Sequence, residues 1–110
     1  MGTELIDRRI RKTRKQLKDC LISLLKTKRI QDITVRELTD KADLNRGTFY
    51  LHYKDVFDLL EQTETELLGK LNSVIQKHRA EELLDRPFNI FHEVYTLVYE
   101  NASLVEILLG

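Results

Sequence analysis

Residues 45–55, "NRGTFYLHYKD", gather Arg46, Lys54, His52, three aromatic rings and Gly47 into one short stretch. A guanidinium, an ammonium and a phenol hydroxyl are the groups that hold phosphate oxygens and reach base edges. A buried helix does not carry Arg46, His52 and Lys54, and a plain surface helix does not carry Phe49, Tyr50 and Tyr53. The mixture fits a helix with one side in a core and its N-terminal end in a groove. Placing residues 45–54 on a helix puts Phe49 and Tyr53, four apart, on one inward face. Tyr50 and Lys54, also four apart, then share a different side, where both suit phosphate. Arg46, Gly47 and Thr48 occupy the first turn, the part of a recognition helix that meets base edges in the major groove. Gly47 costs helix stability, about 1 kcal/mol relative to Ala. Either close backbone approach to DNA or a local packing need accounts for it.

Such a helix needs elements to hold it. Upstream, Leu17, Cys20, Leu21, Leu24 and Leu25 recur at spacings of three and four, which predicts an amphipathic helix from Asp7 or Thr13 to about Lys26. "KTKRIQDI" breaks that period. Thr34 with Glu37 makes a capping box, and Ile33 with Leu38 its hydrophobic staple. They start a short second helix that buries Val35, Leu38 and Ala42. The chain turns at Asp43 and Leu44, and Asn45 caps the third helix, with Leu44 stapling to Phe49. Two short capped helices about three residues apart are the sequence image of a helix-turn-helix.

Asp55 reads as a further cap, with Asp58 in the first turn of a long fourth helix ending near Lys77–Ala80. Arg86-Pro87 is a strong breaker. Phe88, Phe91, Val94, Tyr95 and Val98 start a fifth helix, and Asn101 is placed to cap a sixth. The fold class expected is all-α, with a helix-turn-helix domain over 1–54 and a connecting helix and further helical domain over 55–110.

The chain has 110 residues, 42% apolar and 33% charged, and a formal net charge of zero. That size allows a small core, and the composition argues against disorder. The zero charge hides an asymmetry: residues 1–54 hold 14 Lys/Arg and 7 Asp/Glu, a net of +7, and residues 55–110 hold 4 and 11, a net of −7. A basic half is suited to a polyanion. The lone Cys20 forms no internal disulfide and suits a small core position in a reducing, cytoplasmic setting. No apolar run is long enough to span a bilayer.

"TVRELTDKADLNRGTFYLHYKDVFDLL", residues 34–60, resembles the DNA-binding domain of TetR/AcrR-type (tetracycline-repressor-like) bacterial transcriptional regulators. The resemblance begins near Thr13, is strong to Leu60, and is carried most specifically by "GTFYLHYKD". It implies that Thr34 and Arg36 contact backbone and a base, and that Arg46, Gly47 and Thr48 face the major groove. Tyr50, His52 and Lys54 would hold phosphates, and an arm at Arg8–Lys15 would reach a flanking minor groove or backbone. For His52 a place at the core edge is equally consistent. The resemblance further implies a homodimer on a palindromic double-stranded DNA operator, a repressor responsive to a small-molecule effector, and no catalytic cofactor. Two departures stand out. Asp43 occupies a turn position where the family often has Gly. The chain also has about half the family's length, so it reads as part of a longer regulator whose remainder supplies most of the pocket and dimer interface.

A helical adaptor using the helix-turn-helix for protein contacts has no need of so many phosphate partners. A membrane-surface helix fails because residues 8–28 serve the core stripe. His78 with Glu82, and His92 beside Glu93, are weak metal pairs. Phe88, Phe91, Tyr95 and Tyr99 make a ring-bearing stripe suited to interhelical core or to an effector pocket. No glycine-rich phosphate loop, nucleophile elbow or convincing carboxylate pair points to an enzyme.

Overall fold

A computed structural model of the chain describes residues 2–78 and 84–110. The expected helix end at Ala80 and the Glu82 partner of His78 lie outside them. Six α-helices and one 3-10 turn appear, with no strand among the described residues: α1 (Gly2–Leu25), the 3-10 turn (Ile30–Asp32), α2 (Val35–Ala42), α3 (Arg46–His52), α4 (Val56–Lys77), α5 (Pro87–Glu100) and α6 (Ala102–Leu109). The chain divides into two compact units, Met1–Gln62 and Thr63–Gly110.

The first unit is built around one core. Leu17 and Leu21 from α1, Ile33, Leu38 and Ala42 at α2, and Phe49 and Tyr53 at α3 are buried together. Val56 and Leu59, from the first turn of α4, complete the same cluster. That is why this unit extends to Gln62: the start of α4 is a wall of the core. Cys20 packs at its edge, where burial raises the thiol pKa.

The caps fix where each short helix begins. Thr34 Oγ1 accepts from the Glu37 amide at 3.1 Å while the Glu37 carboxylate reaches back to the Thr34 amide at 3.4 Å, a complete capping box. Asn45 Oδ1 accepts from the Thr48 amide at 2.8 Å, and Asp55 Oδ1 from the Asp58 amide at 2.8 Å. Each satisfies amides that the first helical turn leaves without partners.

α1 departs from expectation at its start. It begins at Gly2, ahead of both expected starts at Asp7 and Thr13, so the Arg8–Lys15 arm that the resemblance implies is wholly helical. Arg8–Lys15 therefore project from a helix.

In the second unit Leu67, Ile90 and Leu104 are buried. Lys77 Nζ lies 3.2 Å and His78 Nε2 3.4 Å from Glu93 Oε1. Those contacts, the Lys77 hydrogen bond foremost, hold the Glu93 carboxyl below the usual range. Asn101 differs from its expected role: its side chain makes no cap bond to α6 and donates instead to Leu97 O at 2.8 Å, closing the end of α5. The ring stripe departs from the interhelical-core reading. Phe88, Phe91, Tyr95 and Tyr99 are 67–76% exposed, with His92 stacked on Phe88 and Tyr99 on Tyr95.

Candidate nucleic-acid interface

α2 and α3 are joined through a left-handed residue. Asp43 has φ 57° and ψ 45°, the one non-glycine positive φ among the described residues. Leu44 N then donates to Thr39 O at 2.8 Å and Asp43 N to Asp40 O at 3.3 Å, the two reversed bonds of a Schellman turn. Asp tolerates this backbone better than most residues, so the turn forms without Gly. Thr39, buried at its base, returns its hydroxyl to Val35 O at 2.9 Å.

This turn opens a cleft of about 430 Å³ between α2 and α3, lined by Arg36, Thr39, Asp40, Leu44, Asn45 and Arg46. Arg36 and Arg46, from different helices, thus meet at one opening. Arg36 is held loosely: its Nε lies 3.9 Å from Asp40 Oδ2, with both side chains exposed.

Around α3, steps of about 100° per residue set the directions. Phe49 and Tyr53 are buried and in ring contact at 5.7 Å. The side away from them carries Gly47 and Leu51, flanked by Tyr50 and Thr48. Tyr50 is 56% exposed, its ring edge-on to Phe49.

Thr48 has a specific polarity. Its Oγ1 lies 3.0 Å from Asn45 Oδ1, an oxygen that only accepts. The hydroxyl proton is thereby committed to the cap, and what Thr48 offers outward is an acceptor. It suits an amino group on a base and not a phosphate oxygen. Gly47 has a packing reason: a Cβ there would lie 3.3 Å from the same Asn45 oxygen.

Thr34 spends its hydroxyl inside the capping box. Beside it, Lys28 is hydrogen-bonded and ion-paired to Glu37, and this first of all keeps that carboxyl below its ordinary pKa.

His52 is half-buried. Arg14 Nε on α1 donates to His52 Nδ1 at 3.5 Å, and burial, then the Arg14 charge, lowers the imidazole pKa. With Nδ1 accepting, the neutral ring carries its proton on Nε2. His52 therefore offers one uncharged donor.

Lys54 is not in the helical register read from the sequence. α3 ends at His52, and Tyr53 is extended with φ −139° and ψ 150°. The reason is the next helix: Lys54 N donates to Asp58 Oδ2 at 2.8 Å, so this residue already belongs to the lead-in of α4. Its ammonium stays exposed, but the helical pairing with Tyr50 does not exist.

Over 98 residues the chain is 31% identical to the uncharacterized HTH-type transcriptional regulator YxbF of Bacillus subtilis, covering 86% of this chain and 26% of that protein. The chain is similar to a bacterial HTH-type regulator. It spans about a quarter of that relative's length. No family model matches the chain, and no solved structure matches it. The similarity to YxbF runs through both compact units, since the first unit alone is shorter than the matched stretch.

Two neighbours on this surface, Asp40 and Leu51, and the pairing of Arg14 with His52 escaped the sequence reading. Asp40 was signalled by its spacing of four from Arg36, and Leu51 by its spacing of four from Gly47 on the side away from Phe49. Arg14 was visible only as one cation among many, because its pairing with His52 joins residues 38 apart.

Proposed function

We propose that the chain is the DNA-reading part of a bacterial transcriptional regulator of the TetR/AcrR type, acting as a homodimeric, effector-responsive repressor on a palindromic operator. The observation that carries this reading is the α2–turn–α3 unit, which presents Arg36 and Arg46 at one cleft on a half with a net charge of +7. The similarity to a bacterial HTH-type transcriptional regulator supports it.

In this reading residues 1–54 form the reading head. α3 lies in the major groove with Arg46, Gly47 and Thr48 nearest the bases, Arg46 reading a base edge and Thr48 accepting from a base amino group. Tyr50, His52 and Lys54 hold the backbone and Arg36 meets it at the start of α2, where Thr34, its hydroxyl and amide both committed to Glu37, serves as the cap and not as the expected contact; the Arg8–Lys15 segment of α1 adds flanking charge. A two-fold dimer implies half-sites about one helical turn apart, or a multiple of it. The effector acts on residues 55–110, and represses or relieves only by binding one spacing of the two heads more tightly than the other.

Selection of binding sites from random duplex DNA by the purified chain, at low and moderate salt, tests the reading. A palindromic motif is expected. A half-site alone removes the dimer from the reading, and no enrichment removes sequence recognition.

A further inference from the structure

We infer that Leu51 reads the 5-methyl group of a thymine in the operator. The inference rests on the reading of α3 as the helix in the major groove. Leu51 is 81% exposed, the most exposed large hydrophobic side chain among the described residues of the first unit. It stands on the face of α3 opposite Phe49, which is fully buried, and one turn from Gly47. That face is the part of the helix a groove would enclose.

A leucine side chain carries no donor, acceptor or charge. It can neither hold a phosphate nor take part in the hydrogen-bond code of the base edges. It gains only from apolar surface, and the one apolar group that base pairs display in the major groove is the thymine methyl. Gly47, lacking a side chain, lets this face approach closely. Exposed Tyr50 on one side and half-buried Thr48 on the other flank it with polar groups that fix register. The arrangement places an apolar reader at the centre of a polar rim, so an operator contact there distinguishes thymine from the other three bases.

Deoxyuridine in place of thymine removes the methyl and leaves base pairing intact. Each thymine of the selected operator is replaced in turn, and binding of the full chain and of Leu51→Ala is measured. One position per half-site is expected to weaken wild-type binding roughly fourfold on losing its methyl, the effect of one buried carbon. The same replacement should leave Leu51→Ala unaffected, and Leu51→Met should keep the dependence. If deoxyuridine is tolerated everywhere while the operator is still preferred over scrambled DNA, Leu51 reads no methyl and the regulator reading stands. If a methyl dependence persists in Leu51→Ala, another residue reads it and the assignment is wrong. If the operator is not preferred at all, both readings fall.

Discussion

One oxygen, Asn45 Oδ1, lies 2.8 Å from the amide nitrogen of Thr48 and 3.0 Å from its hydroxyl. It starts α3 and fixes which way Thr48 points its proton. Asn45→Ala removes both bonds and should cost about 1 kcal/mol of stability, as measured for other caps. Asn45→Asp should retain most of it. Chemical denaturation of the two variants tests this; equal stability of Asn45→Ala and wild type would refute the cap's role.

Asp43 holds a left-handed backbone that favours glycine. Asp43→Gly should raise the melting temperature by a few degrees. Relief of an αL penalty of roughly 1–2 kcal/mol is partly offset by about 0.5–1 kcal/mol of added chain entropy in the unfolded state. Thermal unfolding by circular dichroism reads the difference, and a lower melting temperature would mean that the Asp43 side chain does more than tolerate the turn.

Asp40 places a carboxylate 3.9 Å from Arg36 on the cleft that Arg46 shares. In the proposed interface a negative charge there would compete with phosphate for Arg36. Asp40→Asn should tighten DNA binding several-fold at low salt and steepen its salt dependence, because one more cation is available to displace counterions. Fluorescence anisotropy across a salt series measures both; a weaker complex would place Asp40 in a direct contact with a base amino group.

His52 gives a pH signature. Its pKa lies below the ordinary 6.5, through burial first and Arg14 second. The folded state therefore resists protonation more than the unfolded state does. Stability from neutral His52 is fully present above about pH 6.5 and is lost as pH falls through the lower, folded pKa. Arg14→Ala should move the His52 titration upward but not to its ordinary value, since burial remains. NMR titration of the imidazole C–H resonances resolves His52 from His78 and His92. An unchanged His52 titration in the variant would remove Arg14 from its surroundings.

Much of the first unit was legible in the sequence because its signals are local. A capping box at Thr34–Glu37, an Asn45 cap and an Asp55 cap each involve residues three apart, and the stripe from Leu17 to Leu25 shows its period within one helix. The end of α3 was not legible. Phe49 and Tyr53 are four apart and both buried, so periodicity continues past His52 while the backbone does not. The extended backbone of Tyr53 and the hydrogen bond from Lys54 N to Asp58 mark the change. The Arg14–His52 pair was hidden for a different reason, since it depends on how α1 crosses α3. Asn101 misled because an asparagine before a helix can serve either neighbour, and here it serves the helix behind it.

In the proposed function α3 reads sequence while the charges around it supply affinity. The direct measurement is affinity against salt for the selected operator and a scrambled duplex, comparing wild type with Arg46→Ala and Lys54→Ala. Arg46→Ala should lower the preference for the operator, at roughly 1–3 kcal/mol for a bidentate base contact. Lys54→Ala should weaken both duplexes alike and reduce the salt slope by about one. Equal loss on both duplexes in both variants would contradict base reading by Arg46, and no salt-dependent DNA binding by the wild type would contradict the account as a whole.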